Sequence, residues 1–86
     1  MKIVSTFEEW QETPFAKEIK SRFGFDTGEA IMETKASGQR IVHWLEDSNG
    51  NKIMRLAFDS YFDGVMVRIY EGGFTYKYMV VAGKAD

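Results

Sequence analysis

The stretch that decides the fold is QRIVHWLEDSNGNKIMRLAFDSYFDGVMVRIYEGGFTYKYMVV, residues 39–81. Apolar and polar residues alternate through most of it, which is typical of strands with one buried face. Two dipeptides interrupt the alternation, Asn49-Gly50 and Gly72-Gly73. Both suit the positive φ angles of two-residue hairpin turns. We therefore predict a run of antiparallel β-hairpins.

The turns also predict the strand pairing, because loop length fixes which residues stand opposite each other. The Asn49-Gly50 loop predicts Asp47 with Lys52, Leu45 with Met54, Trp44 with Arg55, His43 with Leu56 and Ile41 with Phe58. The Gly72-Gly73 loop predicts Ile69 with Tyr76, Arg68 with Lys77, Val67 with Tyr78 and Val65 with Val80.

Two further connections complete a predicted sheet of five strands. A longer loop at residues 60–63 would pair Leu56 with Val67 and Arg55 with Arg68. An upstream turn at Ser37-Gly38 would add a strand from about Glu29 and pair Ile31 with Trp44 and Glu33 with Val42. A glycine bulge at this turn would slip that last register by one residue and invert the strand.

These pairings agree on two faces of the sheet, as expected of a sequence with one stable fold. The core face is apolar and aromatic, and it collects Ile41, His43, Leu45, Met54, Leu56, Phe58, Val65, Val67, Ile69, Tyr76, Tyr78 and Val80. The outer face mixes apolar residues with cations, and it collects Arg40, Val42, Trp44, Ile53, Arg55, Met66, Arg68, Tyr70, Lys77 and Met79.

The residues before the sheet predict two helices. Ser5–Glu8 matches a capping box and predicts a short helix to about Glu12. Thr13-Pro14 predicts a second helix, with threonine as the N-cap, which ends before Gly24. One stripe of this second helix should be buried on the core face together with Phe7 or Trp10; it consists of Phe15, Ile19 and Phe23.

The whole chain predicts a single domain, residues 1–86, of the α+β class. We expect N-terminal helices packed on one face of a five-stranded antiparallel β-meander, with a frayed tail at Gly83–Asp86. The net charge of −2 argues against binding through bulk charge of either sign, and the lack of cysteine excludes disulfides and thiolate chemistry. No targeting, membrane or lipidation signal is visible, so we expect a cytoplasmic protein without membrane attachment.

The candidate site lies on the outer face. The predicted row across the five strands is Ile31, Trp44, Arg55, Arg68 and Lys77. Like charges directly opposite each other are destabilising, so we expect Trp44 to hold Arg55 by a cation–π contact, Glu33 to reach the row, and an acidic partner to meet the remaining charge. The predicted partner-binding residues are Trp44, Arg55, Met66, Arg68, Tyr70, Lys77 and Met79. The alternative is a solvated face whose long side chains splay apart.

Other motifs favour structure over chemistry. His43 is the only histidine, and its register places it beside Leu56 on the core face rather than in a metal site. Residues 47–51 have the composition of a calcium loop, but Lys52 and Phe58 occupy the positions that need glycine and glutamate. We predict no catalytic residue, no metal and no cofactor.

We therefore expect a small non-enzymatic protein that engages a macromolecule through the outer face, a protein with an acidic surface rather than a nucleic acid. Domains of this kind are common among adaptors and phage-encoded inhibitors of host enzymes or defence systems, and that frequency alone suggests such a role. The alternatives are single-stranded nucleic-acid binding, with Trp44 stacked on a base, and self-association as a homodimer through a face or an edge strand such as Phe74–Val81. An enzyme whose site no spacing rule reveals is a further alternative. On the leading hypothesis, Arg68→Glu should abolish binding with little change in melting temperature.

Overall fold

The computed structural model describes residues 2–80 and shows an α+β protein with three helices and a mixed five-stranded sheet. In chain order the elements are β1 (Lys2–Val4), α1 (Phe7–Gln11), α2 (Pro14–Phe23), α3 (Thr27–Ser37), β2 (Ile41–Glu46), β3 (Lys52–Tyr61), β4 (Gly64–Glu71) and β5 (Phe74–Val80). The strand order is β1-β5-β4-β3-β2, with β1 parallel to β5 and the other neighbours antiparallel. The expected frayed tail, Gly83–Asp86, lies outside the described residues.

The predicted strand from Glu29 is wrong, because this segment is helix α3. The Asp26 carboxylate caps the helix by accepting the backbone N–H of Glu29 at 3.2 Å, and Gly38 ends it at a φ of 74°. Ile31 is fully buried on this helix and is not part of the sheet. The fifth strand is β1, so the order is not that of a simple meander.

The two predicted helices are confirmed, and Thr13 caps α2 as predicted, whereas α1 is capped by Thr6, one residue later than the Ser5–Glu8 pattern implies. The hydroxyl of Thr6 accepts the backbone N–H of Glu9 at 3.0 Å, and that of Thr13 accepts the backbone N–H of Ala16 at 3.2 Å. Each bond satisfies a backbone donor that has no partner within its own helix. Gly24, at a φ of 70°, ends α2 as predicted.

The registers of both glycine hairpins are confirmed, with one change near the first turn. Every predicted pair between β4 and β5 is present, as are the four pairs between β2 and β3 from Ile41 to Leu45. Beyond Leu45, Glu46 rather than Asp47 stands opposite Lys52. Ile53 is therefore the extra residue of a β-bulge, and it packs partly buried against the core.

The register between β3 and β4 differs from the predicted one by two residues. Leu56 stands opposite Ile69 and Arg55 opposite Tyr70, because a two-residue turn, Phe62-Asp63, replaces the expected longer loop. A shift of two residues leaves every side chain on its predicted face, since strand side chains alternate with a period of two.

The core joins helix residues to the core face of the sheet. Trp10 of α1, Ile19 of α2 and Ile31 of α3 cluster with buried strand residues; the strand members are Leu45, Met54, Leu56, Phe58, Val65, Val67, Ile69 and Val80. Burying each large apolar side chain contributes about 1.5–3 kcal/mol. The Trp10 ring also donates its Nε1–H to the Thr27 hydroxyl at 2.8 Å, which ties α1 to the start of α3.

His43 lies beside Leu56 on the core face, as predicted. It is half-buried, and its ring stacks on that of Phe25 with 4.0 Å between centroids. The nearby turn is closed by Asp47, whose carboxylate accepts the backbone N–H groups of Asn49 and Asn51 at 2.9 Å each. The bond from Asn51 is the largest cause that holds the pKa of Asp47 below its usual value of 3.8.

Candidate functional site

The outer face of the sheet brings together the predicted binding residues of β2 to β5. Trp44 stands opposite Arg55, Arg55 opposite Tyr70, Arg68 opposite Lys77 and Met66 opposite Met79. They differ in accessibility. Trp44 is 46% exposed and Lys77 is exposed, whereas Met66 is 6% exposed and Met79 is partly buried. The two methionines therefore offer less contact area than their positions suggested.

Trp44, Arg55 and Tyr70 form a unit on this face that we call the aromatic clamp. The Arg55 guanidinium carbon lies 4.1 Å from the centroid of the Tyr70 ring and 5.6 Å from that of Trp44. Both distances are within the range of cation–π attraction, about 6 Å. The contact of Trp44 with Arg55 was predicted, whereas that with Tyr70 follows from the observed register of β3 and β4.

The charge of Arg55 has no carboxylate partner among residues 2–80. Its Nε–H is buried and donates to no hydrogen-bond acceptor within the described chain. A guanidinium carries five N–H donors and is always protonated, so two ring faces leave most of its hydrogen-bonding capacity unused. The clamp thus presents a positioned cation with free donors.

A surface hollow of about 520 Å³ adjoins the aromatic clamp. The rings of Trp44 and Tyr70 and the side chain of Arg55 line it together with Lys52 and the bulged Ile53. The bulge therefore places an apolar side chain and a second cation beside Arg55. Apolar walls around a few fixed polar groups are typical of binding sites.

A second unit, which we call the ion-pair cluster, occupies another part of the same face. It consists of Arg40, Asp59 and Arg68. Nη1 of Arg68 lies 2.8 Å from one carboxylate oxygen of Asp59, and Nε of Arg40 lies 3.3 Å from the other. One carboxylate therefore serves two arginines, and Arg68 is compensated within the chain.

Several predicted neighbours of the row are wrong. Arg55 and Arg68 are not opposite each other, since Ala57 faces Arg68. Ile31 and Glu33 belong to α3 and take no place in the sheet, so Glu33 is not the residue that compensates the cations. The compensating carboxylate is Asp59. Of the predicted like-charged contacts, only Arg68 opposite Lys77 is present.

Asp59 could have been found from the sequence. Its odd number places it on the outer face with Arg55 and Ala57, and the predicted loop at residues 60–63 begins only after it.

The expected edge strand, Phe74–Val81, is covered by another strand over only part of its length. β1 pairs with its Tyr78, Met79 and Val80, while Val81 lies outside the described residues. The outermost strands are β1 and β2.

Another hollow, of about 380 Å³, lies between α2 and the start of α3. Its cations are already paired, because Lys20 lies 3.5 Å from the Asp26 carboxylate and Lys17 lies 3.0 Å from that of Glu12. It therefore lacks the uncompensated charge of the aromatic clamp. Within residues 2–80, no three His, Asp or Glu side chains are grouped as metal ligands would be, and no helix combines the length and apolar character needed to cross a membrane.

Comparison with known proteins adds no relative: no family model, no curated protein and no solved structure matches this chain.

Proposed function

We propose that this is a non-enzymatic binding protein whose outer sheet face engages an acidic surface of a protein partner, with the aromatic clamp at the centre. The observation that carries the proposal is Arg55, a cation held by two rings with no carboxylate partner in the described chain. Keeping a charge uncompensated beside apolar groups is unfavourable unless a ligand supplies its counter-ion. Tryptophan, tyrosine and arginine are also the types enriched at the centres of protein interfaces.

A partner can bind only if the outer face is accessible. The proposal therefore also states that the helices cover the core face and leave the outer face open. The core cluster supports this arrangement, because its strand residues outside the β-bulge all belong to the core face. On the outer face, Trp44 and Val42 are each 46% exposed, which also supports this arrangement.

The clamp would act by fixing the orientation of the Arg55 guanidinium. Its two rings hold the guanidinium plane, and a planar guanidinium binds a carboxylate through two parallel N–H···O bonds. An apolar neighbour of that carboxylate would enter the hollow beside Ile53, and Lys52 and Lys77 would add longer-range attraction. A protein bound in this way blocks the surface it covers, which is how an inhibitor of phage type would work in the cytoplasm.

A displayed peptide library enriched in Asp and Glu supplies the test. The strongest binder is synthesised, and its affinity is measured by calorimetry for the unaltered protein and for two variants. We expect Arg55→Ala to weaken binding about tenfold or more, because it removes the unpaired cation. Arg22→Ala should leave the affinity unchanged, since Arg22 makes a similar cation–π contact with Phe23 but lies on α2. Equal affinities for Arg55→Ala and the unaltered protein would reject the clamp as the binding centre.

Single-stranded nucleic acid is a second candidate, favoured by the half-exposed Trp44 ring beside a cation. Oligothymidylate is the probe. Binding that is tighter than that of the peptide and falls steeply with salt would replace the protein-partner proposal with this one.

A further inference from the structure

We propose that β2 is the seam of a symmetric homodimer, in which the β2 strands of two copies pair antiparallel to make one continuous sheet. β2 is an outermost strand, so one side of its backbone has no strand partner among residues 2–80. Unpaired backbone N–H and C=O groups on an edge are a template for a further strand.

The two outermost strands differ in their protection against such pairing. Proteins usually blunt an edge by making it short, by placing lysine or proline on it, or by a bulge. β1 has three residues and begins with Lys2. β2 has six residues, lacks lysine and proline, and carries one formal charge, at Glu46. The bulge opposite its Leu45/Glu46 step belongs to β3, where Ile53 is the extra residue, so β2 itself contains no bulge.

The sequence of β2 favours a second copy as the occupant. A two-fold axis perpendicular to the sheet and centred on His43 would place Arg40, the residue before β2, opposite the partner's Glu46, and Val42 opposite the partner's Trp44. Opposite charges would then meet at both ends of the seam, and an aromatic residue would meet a β-branched one on the outer face. The exposure of Val42 and Trp44, 46% each, makes both available for this pairing.

Neighbouring registers are less complementary. An axis centred on Trp44 would place Val42 opposite the partner's Glu46, and one centred on Val42 would place Arg40 opposite the partner's Trp44. Arg40 also has donors for the proposed ion pair, because a guanidinium carries five N–H groups and Nε lies 3.3 Å from Asp59. Charge and side-chain matching therefore select the axis at His43.

A dimer joined at this seam would present two copies of the acidic-partner site on one surface, a consequence that rests on the proposed function. Two Arg55 residues would lie three strand spacings apart across the sheet and two residues apart along it, a separation of about 16 Å on one surface. A partner with two acidic groups at that separation would bind both copies at once, and the second contact would be intramolecular.

Sedimentation equilibrium of the purified protein over a wide concentration range tests the seam without any partner. We expect a monomer–dimer equilibrium that Glu46→Lys weakens about tenfold or more, because it places a lysine opposite the partner's Arg40 twice. Combining Glu46→Lys with Arg40→Glu should restore the dimer by reversing both ion pairs. Glu71→Lys makes the same change of net charge at the end of the interior strand β4 and should leave the equilibrium unaltered.

Circular dichroism and thermal unfolding of each variant exclude a loss of fold as the cause. A protein that stays monomeric throughout, a dimer insensitive to Glu46→Lys, or an open-ended polymer would each overturn the proposal. A dimer in which Arg55→Ala abolishes acidic-peptide binding supports both proposals. A monomer with the same loss rejects the seam alone.

Discussion

The aromatic clamp and the ion-pair cluster use the same residue type in opposite ways on one sheet face. In the clamp, Arg55 is held by two ring faces and has no carboxylate partner in the described chain. In the cluster, Arg68 reaches the Asp59 carboxylate at 2.8 Å and shares it with Arg40. The comparison shows that a row of cations in a sequence does not define a binding site. The cation that remains uncompensated after folding is the better candidate.

The largest effect is expected at the cluster and concerns stability. Arg68→Glu removes a charge-assisted hydrogen bond and places a second carboxylate beside Asp59, so the free energy of unfolding should fall by about 2 kcal/mol. This replaces the expectation from sequence, in which the same change abolished binding with little change in melting temperature. Urea denaturation gives the value, and adding Asp59→Asn should recover part of the loss. An unchanged unfolding midpoint in Arg68→Glu would show that the ion pair contributes nothing.

The next effect would turn the clamp into a compensated site. Val42 is exposed and lies diagonally across from Arg55, since its direct partner is Ala57. Val42→Asp should supply the missing carboxylate and weaken binding of the acidic peptide by about 1–2 kcal/mol. Val42→Asn has nearly the same shape without the charge, so calorimetry should show a much smaller change. Equal losses in both variants would mean that shape, and not charge, governs the site.

A smaller effect distinguishes the charge of Arg55 from the planar shape of its guanidinium. Arg55→Lys keeps the cation but loses the flat group that lies against the rings and pairs with a carboxylate through two bonds. We expect peptide affinity to fall by about 1 kcal/mol, with the salt dependence of binding unchanged. Complete retention of affinity would indicate that Arg55 acts as a point charge and that the rings serve another purpose.

The smallest effect on stability is expected at Arg40, the more exposed arginine of the ion-pair cluster. The Arg40 side chain is 55% exposed, and exposed ion pairs contribute about 0–1 kcal/mol. Arg40→Ala should therefore lower the free energy of unfolding by less than Arg68→Ala does. The opposite order, measured by urea denaturation, would place the main contact of Asp59 at Arg40.

The sequence predicted the parts of this face that short-range turn chemistry controls. Gly72-Gly73 forms the predicted turn between β4 and β5. The register predicted from Asn49-Gly50 is present from Ile41 to Leu45, with the contact of Trp44 with Arg55, although the observed loop has five residues, 47–51. The two-residue error between β3 and β4 preserved the faces but changed the neighbours. It therefore hid the contact of Arg55 with Tyr70 and the role of Asp59, because which groups compensate each other depends on register and not on face alone.

The missed elements have different physical causes. Glu29–Thr34 departs from alternation, because Ala30, Ile31 and Met32 are three apolar residues in a row, whereas the buried Ala30, Ile31 and Thr34 have helical spacing. Asp26, placed three residues before Glu29, matches a helix-capping pattern and would have favoured the helix. The pairing of β1 with β5 left no local signal, because three residues pair with a segment at the other end of the described chain.

That long-range pairing has a consequence for the order in which the molecule assembles. Ile3 meets Met79, so the contact closes a loop of almost the whole described chain, and the entropy of closing a loop rises with its length. On the ribosome β1 emerges first and has no strand to join until β5 has been synthesised. The hairpins and helices form from residues that are close in sequence, whereas β1 can pair only after β5 has joined the sheet. Folding should therefore end at β1, and deleting Lys2–Val4 should speed unfolding far more than it slows refolding.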